Sequence, residues 1–177
     1  MSGLLRNIIR FFLFILLQVY LLNKIPPLHQ YINPYIYYLF ILWLPFNISR
    51  ANLMFIGFFT GIVLDYFMMT PGIHAAPCVL IAYLRPFVIG ILTPKEASEF
   101  NYREPSPKAM GWTPYLVYTL ILTLFHHGYM VLLEWLSFGS ILHFIIKVIA
   151  TTGISMLLII TTELLFPRKM RFRTNTA

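Results

Sequence analysis

Apolar runs follow one another along almost the whole chain, and they decide what it can fold into. Six are visible, at roughly residues 4–22, 31–46, 53–69, 73–92, 114–135 and 141–166. A bilayer core about 30 Å thick takes about 20 apolar residues as a helix, and every run but the second approaches that length. The runs are too long and too continuous for the alternating strands of an outer-membrane barrel. Helices satisfy their own backbone hydrogen bonds, so they are the spanning structure that lipid permits. Composition closes off the soluble alternative. Hydrophobic residues make up 59% of the 177 and charged residues 11%, against about 25% charged in an ordinary soluble domain. The expected fold class is therefore an all-α integral membrane protein, six transmembrane helices in a single bundle. The segments left between the runs are too short for a separate soluble domain. Arg6 and Arg10 give the first run a basic start, but Leu22-Asn23-Lys24-Ile25-Pro26-Pro27 offers no small-residue cleavage site, so it is expected to be retained as a helix.

The second run is about 16 residues long and is bounded by Pro34 and Pro45. Charge decides whether it crosses. With six crossings and both termini cytoplasmic, Arg6, Arg10, Arg50, Lys95, Arg103, Lys108, Arg168, Lys169, Arg171 and Arg173 all face inward, and only Lys24 lies in an outer loop. Without the second crossing, the 93–113 loop and the basic 167–177 tail would face outward, against the positive-inside rule. Tyr31, Tyr35 and Trp135 then fall near the outer interface, and Trp43, Trp112 and Tyr115 near the inner one, where amphipathic rings favour the headgroup level. The net charge of +7 is explained by this orientation and by attraction to anionic membrane lipids. Its dispersal over short separate loops excludes a nucleic-acid-binding face.

Two connections are tight, around Thr70-Pro71-Gly72 and Ser137-Phe138-Gly139-Ser140, so each makes its flanking helices antiparallel neighbours. The 93–113 loop holds Lys95, Glu96, Glu99, Arg103, Glu104 and Lys108 with Pro105 and Pro107, and reads as a solvated linker or a docking segment that includes a short helix. No internal repeat is visible, so an inverted-repeat transporter gains no support.

Charges inside spans are costly and call for a partner or a use. Asp65 lies near the outer end of the third run and Arg85 well inside the fourth. At 1.5 Å rise per residue their depths differ by about 12 Å, which excludes a direct ion pair. His74 is at the depth of Asp65 and is its expected partner. Across the last tight turn, Glu134 and His143 are level, and Lys147 follows His143 by one helical turn on the same face, so a Glu134–His143–Lys147 network is expected. His126 and His127 are adjacent, point about 100° apart on a helix, and cannot chelate one metal together. They read as packing polar groups. Cys78, the one cysteine, reads as a buried thiol. No H-E-x-x-H, G-x-S-x-G or P-loop is present, and no paired carboxylates are spaced for acid–base work. No catalytic residue, metal site or cofactor is expected.

The small residues say more. Gly57-Phe58-Phe59-Thr60-Gly61 is a G-x-x-x-G spacing that lets a neighbouring backbone approach closely, for internal packing or for a partner helix. Asp65 continues that face, and Pro71 and Gly72 suit a turn. The ordered set Gly57, Gly61, Asp65, Gly72, His74 and Ala75 resembles the G-x-x-x-G-x-x-x-D…G-x-H-A signature of the MreD family, rod-shape-determining membrane proteins of bacteria. The hydrophobic layout, a short chain of about six spans with cytoplasmic ends, fits that family as well.

The resemblance implies a non-catalytic scaffold in the bacterial cytoplasmic membrane. Its implied partners are an MreC-like bitopic protein and, with it, an MreB-like filament, a SEDS-type glycosyltransferase and a class B transpeptidase of lateral peptidoglycan synthesis. The family is also similar in fold to the substrate-binding membrane components of energy-coupling-factor vitamin transporters, which supplies an alternative. In a scaffold the Asp65–His74 hairpin presents a fixed surface. In a transporter component it lines a ligand pocket.

Overall fold

The computed structural model describes residues 3–24, 33–93, 104–134 and 140–166. They form helices and turns without a strand. Helix α1 spans Gly3–Leu16 and continues through a wider turn at Leu17–Leu21 and a tighter one at Leu22–Lys24. A four-residue helix α2, Leu39–Leu42, is followed by α3 (Arg50–Met68), α4 (Ala75–Leu92), the short α5 (Pro107–Met110), α6 (Trp112–Glu134) and α7 (Ile141–Leu165). Five helices are long and apolar enough to cross a membrane: Gly3–Lys24, α3, α4, α6 and α7. The chain is a multi-pass helical membrane protein. The 167–177 tail and residues 94–103 of the long loop lie outside the described residues.

The helix directions follow from the contacts. Arg6 and Arg10 bind Glu104, just before α5 and α6, so α1 and α6 begin at one end of the bundle, the loop end. Helices α3 and α4 fold back on each other across the Thr70–His74 turn, which marks the opposite, turn end. Helix α7 runs antiparallel to α6, with Thr152 beside His127 and Glu163 beside Tyr115.

The second apolar run departs from expectation. It is not a spanning helix: only Leu39–Leu42 is helical, and residues 33–38 and 43–49 are irregular. Yet the run does cover the height of the bundle. Tyr35 lies 6.0 Å from His74 at the turn end, and Leu44 and Pro45 reach Arg85 well toward the loop end. Proline explains the shape. The residue before Pro45 is steered away from the helical region, and Pro34 closes the other side, leaving about ten residues between them. As a helix they would span about 15 Å, half of a bilayer core, so the chain extends at both ends of α2 instead. Nor does the run face lipid. Tyr37, Tyr38, Leu39, Ile41 and Leu42 are fully buried among α1, α4 and α6.

Burial also corrects the expected aromatic belts. Tyr35, Trp43 and Tyr115 are core residues rather than interface anchors, while Trp112 is about half exposed. Tyr31 and Trp135 lie outside the described residues. The lipid-facing surface is instead aliphatic and phenylalanine-rich, with Phe55, Phe59, Ile62 and Tyr66 forming an outer ridge on α3.

The G-x-x-x-G spacing serves internal packing. A methyl group on Gly61 would sit 2.3 Å from the Cα of Ala75, and one on Gly57 would sit 2.8 Å from the carbonyl oxygen of Cys78. Both obstacles are backbone, which cannot step aside as a flexible side chain would. Lipid tails are as apolar as the side chains that face them, so close van der Waals fit does much of the work of helix association here. Gly61→Ala is therefore expected to lower stability in detergent by about 1–3 kcal/mol, the usual scale of overpacking. Gly128→Ala, where the new methyl group meets open space, should be neutral or slightly stabilising. Thermal unfolding of the two variants side by side checks the difference.

Candidate functional site

Irregular backbone in a lipid-shielded core must find partners from elsewhere, because each unsatisfied group costs several kcal/mol. Four helices supply side chains for this purpose. From α1 and its extension, Gln18 accepts the Ile36 amide at 2.9 Å and donates to the Pro34 carbonyl at 3.1 Å. Ser155 of α7 accepts the Tyr35 amide at 3.3 Å. Tyr118 of α6 donates to the Leu42 carbonyl at 2.9 Å. Arg85 of α4 donates to the Leu44 carbonyl, reaches the Pro45 carbonyl at 3.5 Å, and directs its Nε to Tyr118 at 3.0 Å. The carbonyls at the end of α2 carry the negative pole of that helical turn, so a cation is the apt cap. This identifies the use of Arg85, which the sequence located without a partner.

At the turn end, Asp65 does the same for α4. Its Oδ1 accepts the His74 amide and His74 Nδ1, both at 2.9 Å, and its Oδ2 accepts the amides of Gly72 and Ala75, both at 3.0 Å. Thr70 donates to Oδ1 at 3.2 Å. One carboxylate therefore fills donors at the start of α4, a placement favoured by the positive helix pole. Gly72 has φ +86°, and at that angle its amide joins the set without the strain a side chain would bring. Pro71 occupies the same turn. Gly57, Gly61, Asp65, Gly72 and His74, scattered over 18 positions, thus act together to lock one hairpin.

The segment's aromatic side chains meet three histidines. Tyr37 is hydrogen-bonded to His126 Nε2 at 2.9 Å, and Tyr38 stacks on His126 at 4.4 Å and is hydrogen-bonded to Thr123 at 3.1 Å. His127 meets Thr152 at 3.3 Å. As the spacing required, His126 and His127 point to different partners. Toward the loop end, Trp43 donates to Tyr115, which in turn donates to Glu163.

Glu134 and Lys147 form the expected ion pair across α6 and α7, at 2.5 Å. His143 lies exposed one turn before Lys147. This group stands apart from the interior cluster, on the bundle surface. Gln18, Tyr37, Tyr118 and Ser155 belong to no motif in the sequence. Gln18 had a detectable signal: an amide in the middle of an apolar span implies a buried acceptor or donor opposite it.

The arrangement is a set of clamps and contains, among the described residues, no group of three or more His, Cys, Asp or Glu placed to hold a metal ion. No protein-family model matches the chain, and neither the curated proteins nor the solved structures contain a significant match to it.

The clamps differ in what their loss exposes. Arg85→Leu leaves buried carbonyls without donors, at about 1–3 kcal/mol per group, and should lower the unfolding temperature markedly. Arg85→Lys restores the charge but not the planar fork and should recover only part of the loss. Thermal melts of both variants in one detergent measure the order: wild type, then Lys, then Leu.

Proposed function

We propose that the chain is a non-catalytic scaffold of the bacterial cytoplasmic membrane that organises lateral peptidoglycan synthesis by binding an MreC-like bitopic protein, in the manner its MreD-like motif implies. The observation that supports this reading is the hairpin itself. Every recognisable residue of the motif is consumed in locking α3 to α4: glycines against backbone, carboxylate against amide donors. A motif used in this way builds a rigid shape rather than a reactive centre. The rigid hairpin displays an outer ridge of Phe55, Phe59, Ile62 and Tyr66 to its surroundings, a surface on which a single partner helix can lie.

In this reading the irregular 33–49 segment is the sixth crossing. Both termini are then cytoplasmic, the loop end is the inner one, and the turn end faces out. The inner basic residues meet anionic lipid, and an MreB-like filament, a SEDS-type glycosyltransferase and a class B transpeptidase join through the bitopic partner. The vitamin-transporter alternative needs a pocket open at the turn end. Tyr35, Tyr37, Tyr38, His74, His126 and His127 occupy that region as buried, mutually contacting side chains, which counts against it.

Affinity purification of the tagged chain from native membrane is expected to recover a bitopic partner, and Phe59→Ala/Tyr66→Ala should reduce the yield several-fold without changing the amount of chain in the membrane. Recovery of the chain alone, with normal cell shape after its depletion, would contradict the scaffold.

A further inference from the structure

Several buried polar groups, some of which also serve as clamps, lie along one line. On α6, Tyr115, Thr119, Thr123 and His127 succeed one another at intervals of four residues, so they share a face and rise about 6 Å per step. All four are buried, as are Thr152, Ser155 and Glu163 on the facing side of α7. The seam ends in a carboxylate at each end of the bundle. At the loop end it is Glu163, bonded to Tyr115. At the turn end it is Asp65, bonded to His74, whose ring lies 5.6 Å from Tyr37, the partner of His126.

Three ring nitrogens on or beside this line are buried and have no hydrogen-bond partner: His74 Nε2, His126 Nδ1 and His127 Nε2. Their rings are almost wholly inaccessible, His74 at 2% and the other two at 0%. A buried polar atom left unpaired calls for an unseen water or ion, or for a use in transfer chemistry. The described residues offer no metal geometry. Water fits the chemistry: a buried water takes two to four polar partners, and two hydrogen bonds through one water span about 5.5 Å, close to the backbone rise of about 6 Å between successive seam residues.

We propose that the α6–α7 seam, extended through Tyr37 and His74, is a hydrated proton path between Asp65 and Glu163. Chains of acidic and histidine residues inside membranes are how proton relays are built. Each step is a simple exchange. A neutral imidazole takes a proton from water at its free nitrogen and gives up the proton on its other nitrogen to the next hydroxyl, water or carboxylate. At His74 the proton enters at Nε2 and the Nδ1 proton passes to Asp65, or the reverse. Only N–H and O–H bonds form and break, one proton enters for each that leaves, and no redox partner is needed. Tyr37 and His74 have no direct hydrogen bond between them, nor do Thr119 and Thr123, of which Thr119 donates to backbone carbonyls of its own helix, so a bridging water is needed at each gap.

The test is proton flux into liposomes containing the purified full-length chain, driven by a valinomycin-clamped potassium potential and read with a trapped pH-sensitive dye. Wild type should exceed protein-free liposomes several-fold, and Thr123→Val and His126→Leu should each return flux to background. Thr123→Val removes one hydroxyl at nearly constant volume, so it keeps the test decisive should His126→Leu fail to accumulate. Wild-type flux equal to that of empty liposomes, or undiminished flux in a properly reconstituted variant, would overturn the proposal.

Discussion

The structure depends on how one stretch of irregular backbone is kept satisfied in an apolar interior. Between Pro34 and Pro45 the chain cannot form a helix long enough to cross a bilayer, yet it runs from the turn end toward the loop end through the middle of the bundle. Lipid has no hydrogen bonds to offer it. Gln18, Ser155, Tyr118 and Arg85, from four different helices, provide them. Each clamp ties its own helix to the segment, so the segment becomes the axis around which α1, α4, α6 and α7 are gathered. In a medium where apolar contact gives little preference for protein over lipid, these directional bonds decide which helix sits where.

The Asp65 hairpin solves the same kind of problem at smaller scale. Tight approach at Gly57 and Gly61 brings the start of α4 against α3, and the carboxylate then answers the backbone amides that this approach gathers. Glycine and aspartate are therefore coupled. A side chain at Gly61 would push Ala75 away from the very oxygen its amide donates to. This coupling explains why the recognisable motif is an ordered combination rather than a set of separable pieces.

Much of this was legible in the sequence, and the boundary is physical. Five of the six runs announce themselves as helices because length and continuous apolarity suffice. The Asp65–His74 contact followed from depth alone; for the last hairpin depth set Glu134 level with His143, and the ion pair goes to Lys147, one turn further along the same face. The second run misleads because an apolar stretch reads alike whether it is a lipid-facing helix or a buried irregular passage. Only the proline spacing and the polar residues facing it tell them apart, and those residues lie as far away in sequence as Ser155. For the same reason Tyr35, Trp43 and Tyr115 passed for interface anchors: amphipathic rings suit a headgroup layer and a buried hydrogen-bond network equally well. Arg85 was visible as an anomaly, but its partners are backbone carbonyls, which leave no mark in a sequence.

The 33–49 segment is an interior passage whose backbone is held by other helices. Amide hydrogen exchange in a nanodisc tests it residue by residue. The amides of Tyr35 and Ile36 should be protected in the wild type. Protection at Ile36 should be lost selectively in Gln18→Leu and at Tyr35 in Ser155→Ala, while the amides of α3 stay protected. Ile36 protection unchanged by Gln18→Leu, as an ordinary backbone-bonded helix would give, or its absence in the wild type, would rule out an interior passage held by side chains.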